Sequence, residues 1–429
     1  MARSTELLRR KGMHWPSLPL AFFIAPAAVT AAPPEVYVGF ESRYSDNVEL
    51  RANQEQSDLE NTVFLRGNYQ SDPGRCIAII DGEIAYSIFA ENTFDPETRI
   101  NGGAFGRCEL AQGLTWEVDN QVREVTRSSR QADTPDNRTR KNVFTTGPSY
   151  LWRLSPRDSV QFSTRYQNTE FSDPEDRDSD RYTGSVAWNH LFSRDLSAGL
   201  SSSISDVELD NGAEIQTTTV NTTFSKRWAT TTLSGSVGVS EIETELNNIQ
   251  QSSDGFVGDL ALTRALDSSA SVFLRASREL TDQTSNYDIQ FDEFTFELTD
   301  SITVEVTSVE TGLNKSFSNG DLLSVTGFAS RTDSLDTAEQ EDRSGIRTGY
   351  TRRVAPSLSA VANARYEYLS FESDQSDDEI VGLDLGLTYQ AARNTELAAK
   401  VGRTERTSDI PNQEYEENWI LLSIDYRFR

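Results

Sequence analysis

The sequence predicts an all-β protein, a closed antiparallel up-and-down transmembrane barrel of about twenty strands. Three observations carry this. Stretch after stretch alternates apolar and polar side chains with period 2. Short turns take strict alternation with longer polar connections. Beyond the N-terminus there is no run of about 18 apolar residues from which to build a membrane helix.

One repeat is seen whole between Thr146 and Gln167. Thr146, Pro148, Tyr150, Trp152 and Leu154 alternate with Gly147, Ser149, Leu151 and Arg153, and after Ser155-Pro156-Arg157-Asp158 the alternation resumes at Val160, Phe162, Thr164 and Tyr166. Successive strand residues point to opposite faces, so this hairpin has one apolar face and one wet face.

The pattern starts at Glu35, where Val36, Val38, Phe40 and Tyr44 oppose Tyr37, Glu41 and Arg43. Nine short turns follow, among them Ser71 to Gly74, Ser155 to Asp158, Asp267-Ser268 and Ala391 to Asn394. Between them are ten longer connections: Ser45 to Asp58, Ala90 to Thr98, Thr126 to Arg140, Ser172 to Asp180, Asp206 to Glu214, Glu241 to Asp254, Thr281 to Asp300, Thr332 to Arg343, Glu372 to Glu379 and Glu405 to Glu417. This gives an even number of strands with both chain ends on the short-turn side, as a bacterial membrane barrel requires. Between Thr281 and Phe317, Asp288 to Leu298 extends a strand or forms a separate hairpin, which leaves eighteen or twenty-two strands as alternatives.

The outward set repeats in Leu114, Trp116, Val118 and Val122; Tyr182, Val186, Trp188 and Phe192; Phe256, Leu260 and Leu262; Val381 to Tyr389; and Ile420 to Phe428. A β-sandwich would have to press such faces against each other, whereas in lipid only a closed barrel satisfies every backbone polar group. Lys226, Arg264, Arg352 and His190 fall on the lipid parity but close to short turns, where a long side chain reaches the interface.

Residues 1–31 read as a signal peptide and 32–429 as the barrel. Arg3, Arg9, Arg10 and Lys11 form a basic region, Leu18 to Ala28 an apolar one, and Val29-Thr30-Ala31 a small-residue cleavage site. The 67 acidic against 40 basic residues, a formal charge of -27, would repel a phosphate backbone and exclude nucleic acid as a partner.

The inward parity holds Glu41, Arg43, Arg66, Asp119, Arg123, Arg165, Arg275, Arg347, Arg365, Glu367, Asp384 and Arg427, which are the candidate lumen-lining residues. Cys76 and Cys108 are the only cysteines. They fall on one parity at the short-turn ends of two neighbouring strands, in a compartment that favours disulfides. A bridge needs a closely spaced cross-strand pair; the alternative is two unpaired small residues.

Chemistry is scarce. Beyond the signal region His190 is the one histidine, and it faces lipid, so no base stands near a Ser or Cys nucleophile. Cys76, Cys108 and His190 lack zinc spacing, and no cofactor is implied. The acidic runs Asp173 to Asp180 and Glu372 to Glu379 offer carboxylates to calcium but read first as solvated loop charge.

The whole chain after residue 31 resembles the outer-membrane β-barrel porin family found with bacterial exopolysaccharide biosynthesis and export genes. The residues that carry the resemblance are Tyr44 to Asp58, the RLSPRDS turn from Arg153 to Ser159, Ser277 to Leu280 and the aromatic last strand, which departs from the usual terminus by ending in Arg429. The resemblance implies an outer-membrane location, lipid around the barrel, a polysaccharide or oligosaccharide within it, and periplasmic export components beside it. A polar, Arg-containing lumen fits such a conduit. The alternatives are a surface structural or adhesive barrel with a plugged lumen, and a general passive-diffusion porin.

Overall fold

The structure is a computed structural model that describes residues 34–428 apart from 174–175, 247–248, 283, 286–302, 336 and 338. The segments read as a signal peptide and as Asp288 to Leu298 lie outside the described residues. The strands are β1 (Glu35–Ser45), β2 (Asp58–Gln70), β3 (Cys76–Phe89), β4 (Glu97–Ala111), β5 (Leu114–Thr126), β6 (Arg138–Arg153), β7 (Asp158–Phe171), β8 (Ser179–Ser193), β9 (Leu196–Leu209) and β10 (Glu214–Arg227). There follow β11 (Thr231–Leu246), β12 (Ile249–Asp267), β13 (Ala270–Asp282), β14 (Thr303–Ser316), β15 (Leu322–Ser334), β16 (Gln340–Ala355), β17 (Leu358–Phe371), β18 (Ser376–Ala392), β19 (Thr395–Ser408) and β20 (Tyr415–Arg427).

Each strand pairs antiparallel with its successor, and β1 closes on β20 from Tyr37 opposite Arg427 to Ser45 opposite Trp419. Closure leaves no strand without a neighbour on both sides. The outer face is apolar and bare: Val237 is 58% exposed, Leu422 57% and Leu383 56%. In water so continuous an apolar belt would be a liability, and in a bilayer it is the solvated surface. Trp116, Trp152, Trp188, Trp228 and Phe428 gather at its short-turn border, as interfacial aromatics do.

The short turns are built from their own side chains. In the Ser155–Asp158 turn the Ser155 hydroxyl accepts the N–H groups of Arg157 and Asp158 and donates to the Asp158 carboxylate at 2.7 Å. The other Asp158 oxygen stands 2.7 Å from Nδ1 of His190 on β8, so this outward histidine ties two strands together at the rim. Lys226 likewise stays at the border, its Nζ 5.9 Å from the centre of the Trp228 ring.

The long connections are shorter than the sequence implies. Asp206 to Glu214 reduces to residues 210–213, and from Glu241 to Asp254 the strands run on to Leu246 and restart at Ile249. About 9–11 residues suffice to cross a bilayer, whereas β12 has 19. Above the lipid the ladder continues without needing an apolar face, so the upper outer wall carries polar pairs such as Glu124 with Arg140, Arg331 with Asp342 and Arg403 with Glu416. Polarity therefore marks the end of the membrane and not the end of the strand.

The wall opens at two seams. Pairing of β4 with β5 stops at Gly102 opposite Val122, although β5 continues with β6 to Thr126, and pairing of β12 with β13 stops at Gly258 opposite Arg278, while β12 continues with β11 as far as Ile249. The freed end of β13 continues with β14 as far as Asp282 opposite Thr303. Leu280 there packs with Val207, Leu209, Ile215, Ile242 and Val257 in a buried apolar cluster at the long-loop end.

Candidate functional site

The lumen has two unlike walls. From β7 to β14 it is lined by hydroxyls, several joined across strands: Ser163 to Ser185 at 2.6 Å, Thr183 to Ser205 at 3.1 Å, Thr219 to Ser240 at 2.8 Å and Ser277 to Ser308 at 2.6 Å. From β15 through β20 to β5 it is charged. Small hydroxylated residues pack closely on the pleat, and each hydroxyl both donates and accepts, so the first wall offers water or a solute neutral hydrogen bonds of either kind.

The candidate lumen residues stand on the inward parity, and most of their charges are met by neighbours. Arg43 binds Glu417 at 2.6 Å, Arg66 binds Glu83 at 2.5 Å, Arg275 binds Glu310 at 3.1 Å and Arg347 binds Glu367 at 3.2 Å. Arg165 contacts Glu117 directly, and Arg427 stands 3.9 Å from Glu35. Asp119 accepts from Gln121, and Asp384 accepts from Asn363 at 2.8 Å. Glu41 lines the charged wall, and Arg123 lies on β5 beside Asp119 and Gln121 on the same face. Arg365 differs: its exposed guanidinium has no carboxylate within ion-pair distance among the described residues.

Two segments cross the outer mouth. The connection between β5 and β6, residues 127–137, is braced by Asn137, which is buried, donates to the carbonyls of Ser128 and Ala132 and accepts the Ser128 N–H. Its tip reaches the far wall. Ser129 donates to Glu341 on β16 at 2.8 Å, and Arg130 binds Asp374 at 2.7 Å and lies 4.3 Å above the Phe371 ring. Beneath it Arg406 of β19 donates to the Arg130 carbonyl at 2.7 Å.

The second segment comes from the freed end of β13. Asp282 binds Arg181 of β8 at 2.5 Å, the Thr284 carbonyl accepts from Thr169 at 2.9 Å, and the Ser285 carbonyl accepts from Lys141 at 2.5 Å. Lys141 is wholly buried, a position open to a cation only when it is hydrogen-bonded. Neither crossing is visible in the sequence, because each joins residues more than a hundred positions apart.

Under the first segment lies a cavity of about 860 Å³ between β1–β4 and β15–β20. It shares Glu41, Arg99, Asp133, Arg138 and Leu421 with a second cavity of about 610 Å³ that continues past Arg66, Glu83 and Asp425. The walls include residues not among the sequence candidates: Arg99, bound to Glu60 at 3.0 Å, Arg138, bound to Asp133 at 2.8 Å, and Trp419. Counting parity back from Ile420 finds Trp419.

Cys76 and Cys108 are register partners, with Cα atoms 4.0 Å apart and their sulfurs bonded. The next rung partner of Cys108 is Trp116, so the pair sits on the outer face at the aromatic border. Among the described residues no group of three or more metal-type ligands occurs.

Residues 317–428, which run from the turn before β15 to just past β20, match the family described as Putative beta-barrel porin 2. No curated protein matches the chain. Among solved structures, OccK1 (OpdK) of Pseudomonas aeruginosa is similar over 92% of this chain and 99% of its own, at 9% identity and a TM-score of 0.40. The siderophore receptor PiuA of Acinetobacter baumannii is similar over 93% of this chain and 82% of its own, at 9% identity and a TM-score of 0.47. The ferric yersiniabactin uptake receptor FyuA of Yersinia pestis covers 93% of this chain and 80% of its own, at 11% identity and a TM-score of 0.44.

Proposed function

For this porin-like barrel of the bacterial outer membrane, we propose that the lumen is a conduit for a hydrophilic solute and that the solute is an exopolysaccharide on its way out. The observation that carries the conduit is the pair of polar walls, one of hydroxyls with its own cavity from Gln167 to Ser285 and one charged around two cavities that share residues. Carbohydrate exchanges its hydroxyl hydrogen bonds along such a surface without a large desolvation cost. Barrels of about sixteen or more strands generally enclose an aqueous lumen, and this one has twenty. The narrower assignment to exopolysaccharide export comes from the family resemblance of the sequence, as do the periplasmic components that would deliver the polymer. Residues 1–31 would be the export signal.

The two crossing segments favour a second reading, a surface barrel with its lumen closed. Single-channel recording in planar bilayers separates the two. The conduit predicts ion conductance that rises when Arg130→Ala and Asp282→Ala release the crossings. A barrel that conducts no ions before or after those changes, in a strain whose deletion leaves polysaccharide export normal, would sink the conduit.

A further inference from the structure

Tryptophan is placed unevenly in this barrel. Trp116, Trp152, Trp188 and Trp228 stand exposed at the outer aromatic border, whereas Trp419 turns into the lumen and lines the 860 Å³ cavity. A large aromatic facing a polar, charged wall serves no lipid contact. Its setting is also built. Trp419 is the register partner of Gly402, and a Cβ on Gly402 would stand 2.3 Å from Cζ2 of the indole, so the ring lies flat against bare backbone.

The same device recurs one strand over and one rung toward the outer mouth. Arg365 is the register partner of Gly382, where a Cβ would stand 2.7 Å from its Nε. The two rungs are Gly349, Asn363, Asp384, Gly402 and Trp419, then Arg347, Arg365, Gly382, Thr404 and Glu417. Same-face rungs are about 7 Å apart along a strand, and strands are about 4.8 Å apart sideways. A flat aromatic and a flat guanidinium thus lie over glycines about 8 Å apart, and the Arg43 Cζ stands 5.5 Å from the centre of the indole ring.

The surrounding charge is already committed. Glu417 is held by Arg43, Asp384 by Asn363, and Glu367 by Arg343 and Arg347. Glu41 lies farther toward the short-turn end, opposite Ser423 in the register. Arg365 and, one rung beyond Trp419 toward the short-turn end, Lys400 have no carboxylate within ion-pair distance among the described residues, and of the two only the guanidinium matches a carboxylate with two parallel hydrogen bonds. An aromatic face meets the C–H face of a sugar ring as it meets other apolar surface.

We propose that Trp419 and Arg365 form a binding subsite for an acidic sugar, a pyranose that stacks on the indole while its carboxylate engages the guanidinium. The site rests on the reading of the lumen as a carbohydrate path, and names the class of sugar that would pass it. Asn363 and Asp384, on the Trp419 rung, are placed to meet ring hydroxyls.

The test is binding of end-labelled oligogalacturonate, and of a neutral malto-oligosaccharide of equal length, to the full chain in detergent, read by fluorescence anisotropy without requiring an open lumen. Wild type should bind the acidic oligomer at least tenfold more tightly than the neutral one. Arg365→Gln should abolish that preference, Trp419→Ala should weaken both oligomers about tenfold, and Trp419→Phe should keep most of the affinity. Retained heat-dependent gel mobility shows that each variant still folds. Equal binding of the two oligomers by wild type, or unchanged binding by both Arg365→Gln and Trp419→Ala, overturns the site. A barrel that binds with these losses but conducts no ions leaves the site standing and the conduit refuted, and conduction without preferential binding does the reverse.

Discussion

The Arg406 guanidinium lies 2.5 Å from the Asp378 carboxylate with both side chains nearly sealed from solvent, 2% and 1% exposed, and the same guanidinium donates to the Arg130 carbonyl. An ion pair between β18 and β19 therefore fixes a backbone that belongs to the connection between β5 and β6. Its burial is a consequence of that crossing.

Breaking the pair strands a buried charge. Arg406→Ala or Asp378→Ala should destabilise the closed mouth by about 3–5 kcal/mol, the usual cost of removing one partner of a buried pair. Arg130→Ala should cost less, because the Arg130–Asp374 pair is more exposed, at 22% and 42%. Protease susceptibility of the segment 127–137 on intact cells reads the difference.

Acid should loosen the same latch. The Ser376 hydroxyl, opposed next by burial and then helped by Arg130, holds the carboxyl of Asp374, between β17 and β18, below the ordinary carboxylate range. A depressed folded-state pKa contributes stability above the unfolded value of about 3.9 and loses it as pH falls through the folded value. Proteolysis of the segment, by an acid-active protease, should thus rise only below about pH 4. Asp374→Asn should show the raised rate at neutral pH already, and an identical pH profile in that variant would refute the assignment.

Cys76→Ser or Cys108→Ser should lower the unfolding midpoint in denaturant, by about 2–4 kcal/mol of stability. Thiol reagents should label the wild type only after reduction. Equal labelling before and after would rule the bridge out.

Net charge in the lumen should set ion selectivity. Replacing Arg165, Arg275 and Arg365 together with Glu should shift the reversal potential toward cation preference. Removing both members of a pair, Arg275→Gln with Glu310→Gln, should leave it nearly unchanged, whereas Arg365→Gln alone should move it, because among the described residues no carboxylate stands within ion-pair distance of that cation. Equal shifts from the paired and unpaired changes would contradict the charge arrangement.

Alternation made the wall legible. Val381, Leu383, Leu385, Leu387 and Tyr389 could be assigned to one face of β18, and Asp384 to the other, by counting in twos. The tops of β9 to β12 were not, since Glu241, Glu243 and Glu245 look like loop residues but belong to a ladder that has left the lipid. Cross-lumen contacts were hidden for another reason. Ser129 and Arg130 have the composition of any solvated connection, and their partners Glu341, Asp374 and Arg406 are set by barrel geometry and not by local pattern. Trp419 can be placed inward from sequence, but the Gly402 beneath it is known only once register pairs the two.

The parting of β12 from β13 above Gly258 and Arg278 also serves as a depth gauge. Above that rung the facing backbone groups of the two strands no longer pair with each other, and an unpaired amide or carbonyl in hydrocarbon costs several kcal/mol. The oily phase must therefore end at or below the Gly258–Arg278 rung on this side of the molecule. Phe256 just above it, with Asp254 the next outward residue, has the order expected of a waterline: aromatic first, then charge.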